Sequence, residues 1–375
     1  MAGAGRIALY GATGYTGRLV AAELRRRGLD FLVAGRNAER VREVVRDLGG
    51  DVPCRVAALE DRDALRHAVG DCAVVINCAG PFTRYGEPVV RAAVETGTHY
   101  VDTTGEQGFM QDVAERYDAP ARAAEVAVMP ACGFDYVPGD LICRLAAGGH
   151  EPLRELVLAY FVADFGATRG TLHSALEVLR GNALEYRDGG WRPAGTGPLR
   201  ASFTFPGDIG RQAMLPYACG EVVTVPRHTR VGTIRSLISA ADFAPHAALA
   251  PAMPFALVGL GAALRTPLKA GVDMLIQRLP EGPEREDRIR ARWTIVAVAE
   301  GEDGSTTRGI VRGSDPYGLT AVTAVHAATL LAGGDCEATG FQSPASAFDP
   351  AAFLGHLGEH GVSHELDPPA TAAAA

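Results

Sequence analysis

Three glycines spaced by three, Gly11-Ala-Thr-Gly14-Tyr-Thr-Gly17, stand between an apolar run at 6–10 and an amphipathic run at 18–27. A strand, a glycine turn and a helix in that order form a holder for a dinucleotide pyrophosphate. Gly11 permits the tight turn, Gly14 brings backbone to the phosphates, and Gly17 lets the helix pack on the strand. The helix start adds unpaired N–H groups and a partial positive charge. Gly11, Thr13, Gly14, Tyr15, Thr16 and Gly17 are therefore the expected pyrophosphate cradle. The second strand, 31–34, ends in Gly35-Arg36-Asn37. An NAD site usually carries a carboxylate about 20 residues past the last glycine. Arg36 stands there instead, and its planar fork matches a 2′-phosphate. The cofactor expected is NADP(H), with Asn37 adding a hydrogen bond or capping the next helix.

Groups able to move a proton lie in three later loops. The first, 77–85, holds Cys78, Ala79, Gly80 and Pro81, which let backbone run beside the nucleotide, and Tyr85 as a substrate-facing phenol. The second, 102–106, holds Asp102, Thr103, Thr104 and Glu106, read either as chemistry (Asp102, with Thr104 at the cofactor) or as a helix cap. The third, 131–140, holds Asp135 and Tyr136, candidates for proton delivery or for binding a polar substrate group. In an open parallel sheet, loops at the carboxyl ends of strands are where ligands bind.

The elements that must position these groups alternate in type. Helix 37–47, strand 55–58, a helix from Asp61, the apolar strand 73–78, helix 87–96, and strands 100–102 and 126–129 predict a doubly wound parallel sheet, a Rossmann fold of the α/β class. After about residue 150 the pattern becomes strand-rich: 153–162, 201–205, 222–225, 234–238, and a hairpin 290–300/306–313 across Gly301-Glu-Asp-Gly304, with helices 171–180 and 319–331. This predicts an antiparallel sheet with helices on one face, an inserted α+β substrate and dimerisation domain. The expected division is 1–130 for the Rossmann domain, completed by 317–366; 131–316 for the insert; and 367–375 as a disordered tail.

Composition narrows the function. With 375 residues, 47% hydrophobic and 21% charged, the chain can bury two cores, and its net charge of −8 disfavours nucleic acid as partner. Seven cysteines without a Cys-x-x-Cys pair indicate reduced thiols. No charged start with an apolar core precedes the first strand, so a cytoplasmic location is expected. The uncharged run 247–264 is interrupted by Pro251 and Pro254 and is too short to span a bilayer; a core or interface helix is expected there, contact with a membrane surface being the lesser reading. No tyrosine has lysine four residues later, and Lys269 is the sole lysine, which excludes a Tyr-x-x-x-Lys mechanism. Cys132 reads as a packed thiol, His356, His360 and His364 as a surface tail rather than a metal site, and His173 as structural, with a substrate-holding role at 171–174 as its alternative. No metal is expected.

Residues 11–18, Cys78-Ala-Gly-Pro-Phe82, 100–106 and Cys132-Gly-Phe-Asp135 with Pro138-Gly139 resemble the saccharopine dehydrogenase-like NADP-binding oxidoreductases, in particular the branch holding trans-acting enoyl reductases. The resemblance is densest over 6–145. It implies a Rossmann domain with an inserted α+β domain, NADP(H) and a homodimer. The expected reaction passes hydride from NADPH to a C=N or conjugated C=C group of a small or carrier-bound substrate in an interdomain cleft. Asp135, Tyr136, Asp102 and Tyr85 are its expected polar groups. A trans-acting enoyl reductase of polyketide or lipid biosynthesis is one alternative, and an NADP-sensing protein without turnover the other.

Overall fold

A computed structural model describes residues 5–180, 183–194, 201–243, 259–261, 263–334 and 336–368. The chain forms two compact units, Met1–Val137 with Tyr317–Phe348, and Pro138–Pro316 with Asp349–Ala375.

The first unit is built on β1 (Ile7–Tyr10), α1 (Tyr15–Arg26), β2 (Phe31–Gly35), α2 (Ala38–Asp47), β3 (Cys54–Val56), α3 (Arg62–Val69), β4 (Val74–Asn77), α4 (Phe82–Tyr85), α5 (Glu87–Thr96), β5 (His99–Asp102), α6 (Gln107–Ala123) and β6 (Ala127–Met129). Its sheet runs β3-β2-β1-β4-β5-β6, and the short strand Gly340–Phe341 adds to β6. Every pairing is parallel, with Ile7 opposite both Phe31 and Val74. Strand order reverses beside β1, so the ends of β1 and β4 diverge and leave a crevice at their carboxyl edge. β1, β2 and β4 are buried along their whole length, as unbroken runs of Ile, Val, Leu and Ala require when helices cover both faces. Side chains of Asn37 and Asp61 cap α2 and α3, accepting from Arg40 N at 3.0 Å and Ala64 N at 2.9 Å.

The second unit carries a nine-stranded sheet. Leu153–Ala163 lies at its centre, antiparallel to Arg292–Gly301 and parallel to Val231–Ser239. The sheet is therefore mixed, not antiparallel throughout as expected, because the path between those two parallel strands makes a crossover. Arg292–Gly301 and Thr306–Ser314 form the expected hairpin, and Ser363–Leu366 pairs on its outer edge. The Val-Val-Thr-Val run at 222–225 is not a strand. It forms the helical turn Glu221–Thr224 and runs on into Val225–Arg227, with 221–225 buried and Trp191 Nε1 donating to Val222 O at 2.9 Å. Local β-branched content is overridden there by tertiary packing.

His356 ends up in the helix Pro350–Gly358 and His364 in the edge strand, so the three histidines do not form a tail. Among the described residues no cluster of His, Cys, Asp or Glu suits a metal ion, and no helix is long and apolar enough to cross a membrane. The expectation of an apolar helix within 247–264 lies mostly outside the described residues, as does the tail beyond 368.

Candidate functional site

The glycine turn has the sterics a dinucleotide needs. Gly11 has φ +83°, and a Cβ there would meet Ala79 N at 2.7 Å. A Cβ on Gly17 would strike the Gly11 carbonyl, so α1 sits against the turn. At Gly14 the situation reverses: a Cβ would meet nothing nearer than Gly11 O at 3.8 Å. Backbone is thus exposed at the one glycine expected to face phosphate. Gly14 is also the N-cap of α1, and no side chain accepts from that helix start. Unlike α2 and α3, α1 keeps its positive end available to an anion. The residues present fit a bound pyrophosphate.

At the end of β2, Arg36 is exposed and its guanidinium lies over the Tyr85 ring, 5.7 Å from the centroid. Tyr85 therefore stands at the β2 end. Asn37 spends its side chain on capping α2.

The loops after β4, β5 and β6 are tied by buried carboxylates. Asp102 is fully buried; Oδ1 accepts from Thr104 N at 2.9 Å and Ala131 N at 2.8 Å, and Oδ2 from Tyr100 Oη at 2.7 Å. Asn77 Nδ2 donates to Tyr100 at 3.1 Å, and the Asn77 oxygen accepts from Ala79 N at 3.0 Å. Burial pushes the Asp102 carboxyl up to about 7, against the opposing effect of its hydrogen bonds. Glu106 reaches back to the loop after β4, accepting from Phe82 N and Thr83 N, both at 2.8 Å, and from the Thr83 hydroxyl. Thr104 Oγ1 accepts from Glu106 N at 3.0 Å. Tyr100 and Asn77 are the residues that sequence reasoning passed over as site builders. The available signal for Asn77 was a polar residue closing an apolar strand.

Asp135 is placed differently. It is partly exposed beside Gly105, where a Cβ would meet its Oδ2 at 2.9 Å, and burial alone raises its carboxyl to about 6. Tyr136 is buried and donates to Gly105 O at 2.7 Å. Burial pushes the Cys78 thiol up to about 12, and Cys132 is packed with its Sγ toward Thr323 O at 3.7 Å. Cys78 is therefore no thiolate nucleophile at neutral pH.

In the second unit, His173 lies 3.3 Å from Asp273 and 3.1 Å from Gln277, and Lys269 pairs with Asp273 at 2.6 Å. Lys269 also pairs with Glu177 at 3.4 Å, so the lone lysine joins the helices Leu268–Gln277 and Arg169–Arg180.

Comparison with known proteins agrees with this geometry. The model of the saccharopine dehydrogenase NADP binding domain family matches residues 7–129. The match covers about a third of the chain and indicates NADP(H) as the nucleotide of this domain. A putative trans-acting enoyl reductase of Mycobacterium tuberculosis (strain ATCC 25618 / H37Rv) is 37% identical over 185 residues, 46% of this chain and 44% of its own. The trans-acting enoyl reductase of Mycobacterium leprae is 41% identical over 140 residues, 36% of this chain and 34% of its own. A lipid droplet localized protein of Caenorhabditis elegans is 39% identical over 146 residues, again 36% and 34%. The chain thus spans less than half the length of the curated relatives it matches. The apo saccharopine dehydrogenase (L-Glu forming) of Saccharomyces cerevisiae superposes with a TM-score of 0.60 at 14% identity, covering 97% of this chain and all of that one. The fold is shared.

Proposed function

We propose that this protein is an NADPH-dependent reductase acting on a C=N or conjugated C=C bond of a small or carrier-bound substrate. The observation that carries the reading is the cradle itself: an uncapped α1 behind open Gly14 backbone, with an exposed Arg36 at the end of β2. When bound, the nucleotide supplies the hydride. The chain holds its phosphates at Gly11–Gly17 and its ribose end at Arg36, and positions the loops that follow β4, β5 and β6. Asp102 and Glu106 act as fasteners, since their oxygens are taken by donors of the chain. Asp135 is the carboxyl suited to delivering a proton to the nitrogen or carbon beside the reduced centre. Its raised pKa keeps a share of it protonated near neutrality. Tyr136, held by the Gly105 carbonyl, orients that loop.

A trans-acting enoyl reductase is the second reading, favoured by the names of the mycobacterial relatives. Titration with NADPH and NADH, followed by nicotinamide fluorescence, tests the cofactor step. Imines and enoyl thioesters are then screened for oxidation of bound NADPH. Tight NADPH binding with consumption by enoyl thioesters alone supports the second reading. Binding without turnover on either class refutes both in favour of a sensor.

A further inference from the structure

We propose that Tyr85 is a specificity residue for the 2′-phosphate end of the cofactor, holding Arg36 in place without neutralising it; this rests on the NADP(H) reading above. Sequence position alone had put Tyr85 with the substrate. The structure instead brings its ring to the guanidinium of Arg36, from a different loop and 49 positions along the chain.

Arginines of the first unit are mostly matched with acids. Arg6 pairs with Asp30, Arg18 with Asp47, Arg25 with Asp51, and Arg55 with Asp71. Among the described residues Arg36 pairs with no carboxylate. A carboxylate would fix the guanidinium but compete with an incoming phosphate dianion. An aromatic face fixes it through the ring quadrupole and leaves its charge and N–H fork free. Tyr85 suits this task because its own backbone is secured. It closes α4, whose first N–H groups are clamped by Glu106, and Phe82 packs on Phe109 with ring centroids 5.8 Å apart. A tethered ring then reduces the freedom a long arginine side chain must lose on binding phosphate.

The test measures NADPH and NADH dissociation constants for the full chain by nicotinamide fluorescence, with 2′,5′-ADP and 5′-AMP by calorimetry as fragments lacking nicotinamide. For Tyr85→Ala the preference for NADPH over NADH, and for 2′,5′-ADP over 5′-AMP, falls about two- to fivefold, as expected of an exposed cation–π contact. Tyr85→Phe keeps the preference, because the ring remains. In an Arg36→Ala background Tyr85→Ala changes the preference no further. Equal weakening of both nucleotides by Tyr85→Ala, an unchanged preference, or a loss in Tyr85→Phe matching that in Tyr85→Ala would each overturn the assignment. A wild-type chain that fails to prefer NADPH fails the underlying reading of Arg36 instead, before any variant is compared.

Discussion

Asp102 offers the sharpest test of how the loops are held. Its carboxyl lies at about 7 against an ordinary 3.8, because burial penalises the charged form more than three donors favour it. The folded chain therefore binds a proton at Asp102 that the unfolded chain has already lost. Stability from this group is fully present below pH 3.8 and is lost as pH rises through about 7. The complete loss corresponds to about 4 kcal/mol, of which about 3 kcal/mol falls between pH 5 and pH 8. Asp102→Asn mimics the protonated form: one oxygen still accepts from Thr104 N and Ala131 N, and the amide faces Tyr100 where the acid's O–H would. Urea denaturation followed by circular dichroism is the assay, since both tryptophans, Trp191 and Trp293, lie in the other unit. Wild type should lose about 3 kcal/mol relative to the variant between pH 5 and pH 8. A difference that stays constant with pH would refute the reasoning, and one of opposite sign would show that the network needs the carboxylate charged.

Arg36→Asp should weaken NADPH binding at least about tenfold while leaving NADH nearly unchanged, since it exchanges a charge-assisted pair for repulsion; equal nucleotide titrations would remove the 2′-phosphate assignment. Asp135→Asn should lower turnover about a hundredfold without lowering NADPH affinity, and should abolish a fall in rate as pH rises through about 6. Full activity in that variant, measured as NADPH oxidation, takes Asp135 out of the mechanism. Glu106→Ala strands the buried Phe82 N–H and frees the loop after β4. It should cost about 1–3 kcal/mol in urea denaturation and weaken NADPH binding; unchanged affinity would mean the loop needs no clamp.

The first unit was readable because its constraints are steric and local. Glycine is demanded at positions 11 and 17 by backbone approach, whatever the rest of the chain does. Strands buried on both faces announce themselves as unbroken apolar runs, and helix 87–96 carries Pro88 in its first turn and ends in left-handed Gly97, as its sequence indicated. The second unit was less readable. Its central parallel pair joins strands nearly 70 residues apart, and no local pattern states whether such strands run parallel or antiparallel. The run at 222–225 shows the same limit, for its β-branched side chains fill a core as well from a helical turn as from a strand.

The carboxylates of the strand-end loops mark where sequence reasoning stops. A carboxylate after a strand serves equally well to fasten backbone or to carry a proton, and residue type does not distinguish the two. Hydrogen-bond donors do. Asp102 and Glu106 face backbone N–H groups of neighbouring loops, so removing either leaves buried donors stranded. The rise in the Asp135 carboxyl comes from burial, which makes losing its proton costly. Such a group can give up its proton when charge develops nearby, and a fastener cannot without loosening the loops it joins. On the function proposed here, that difference gives the chemistry to Asp135 and the geometry to Asp102, and the two pH profiles above measure each separately.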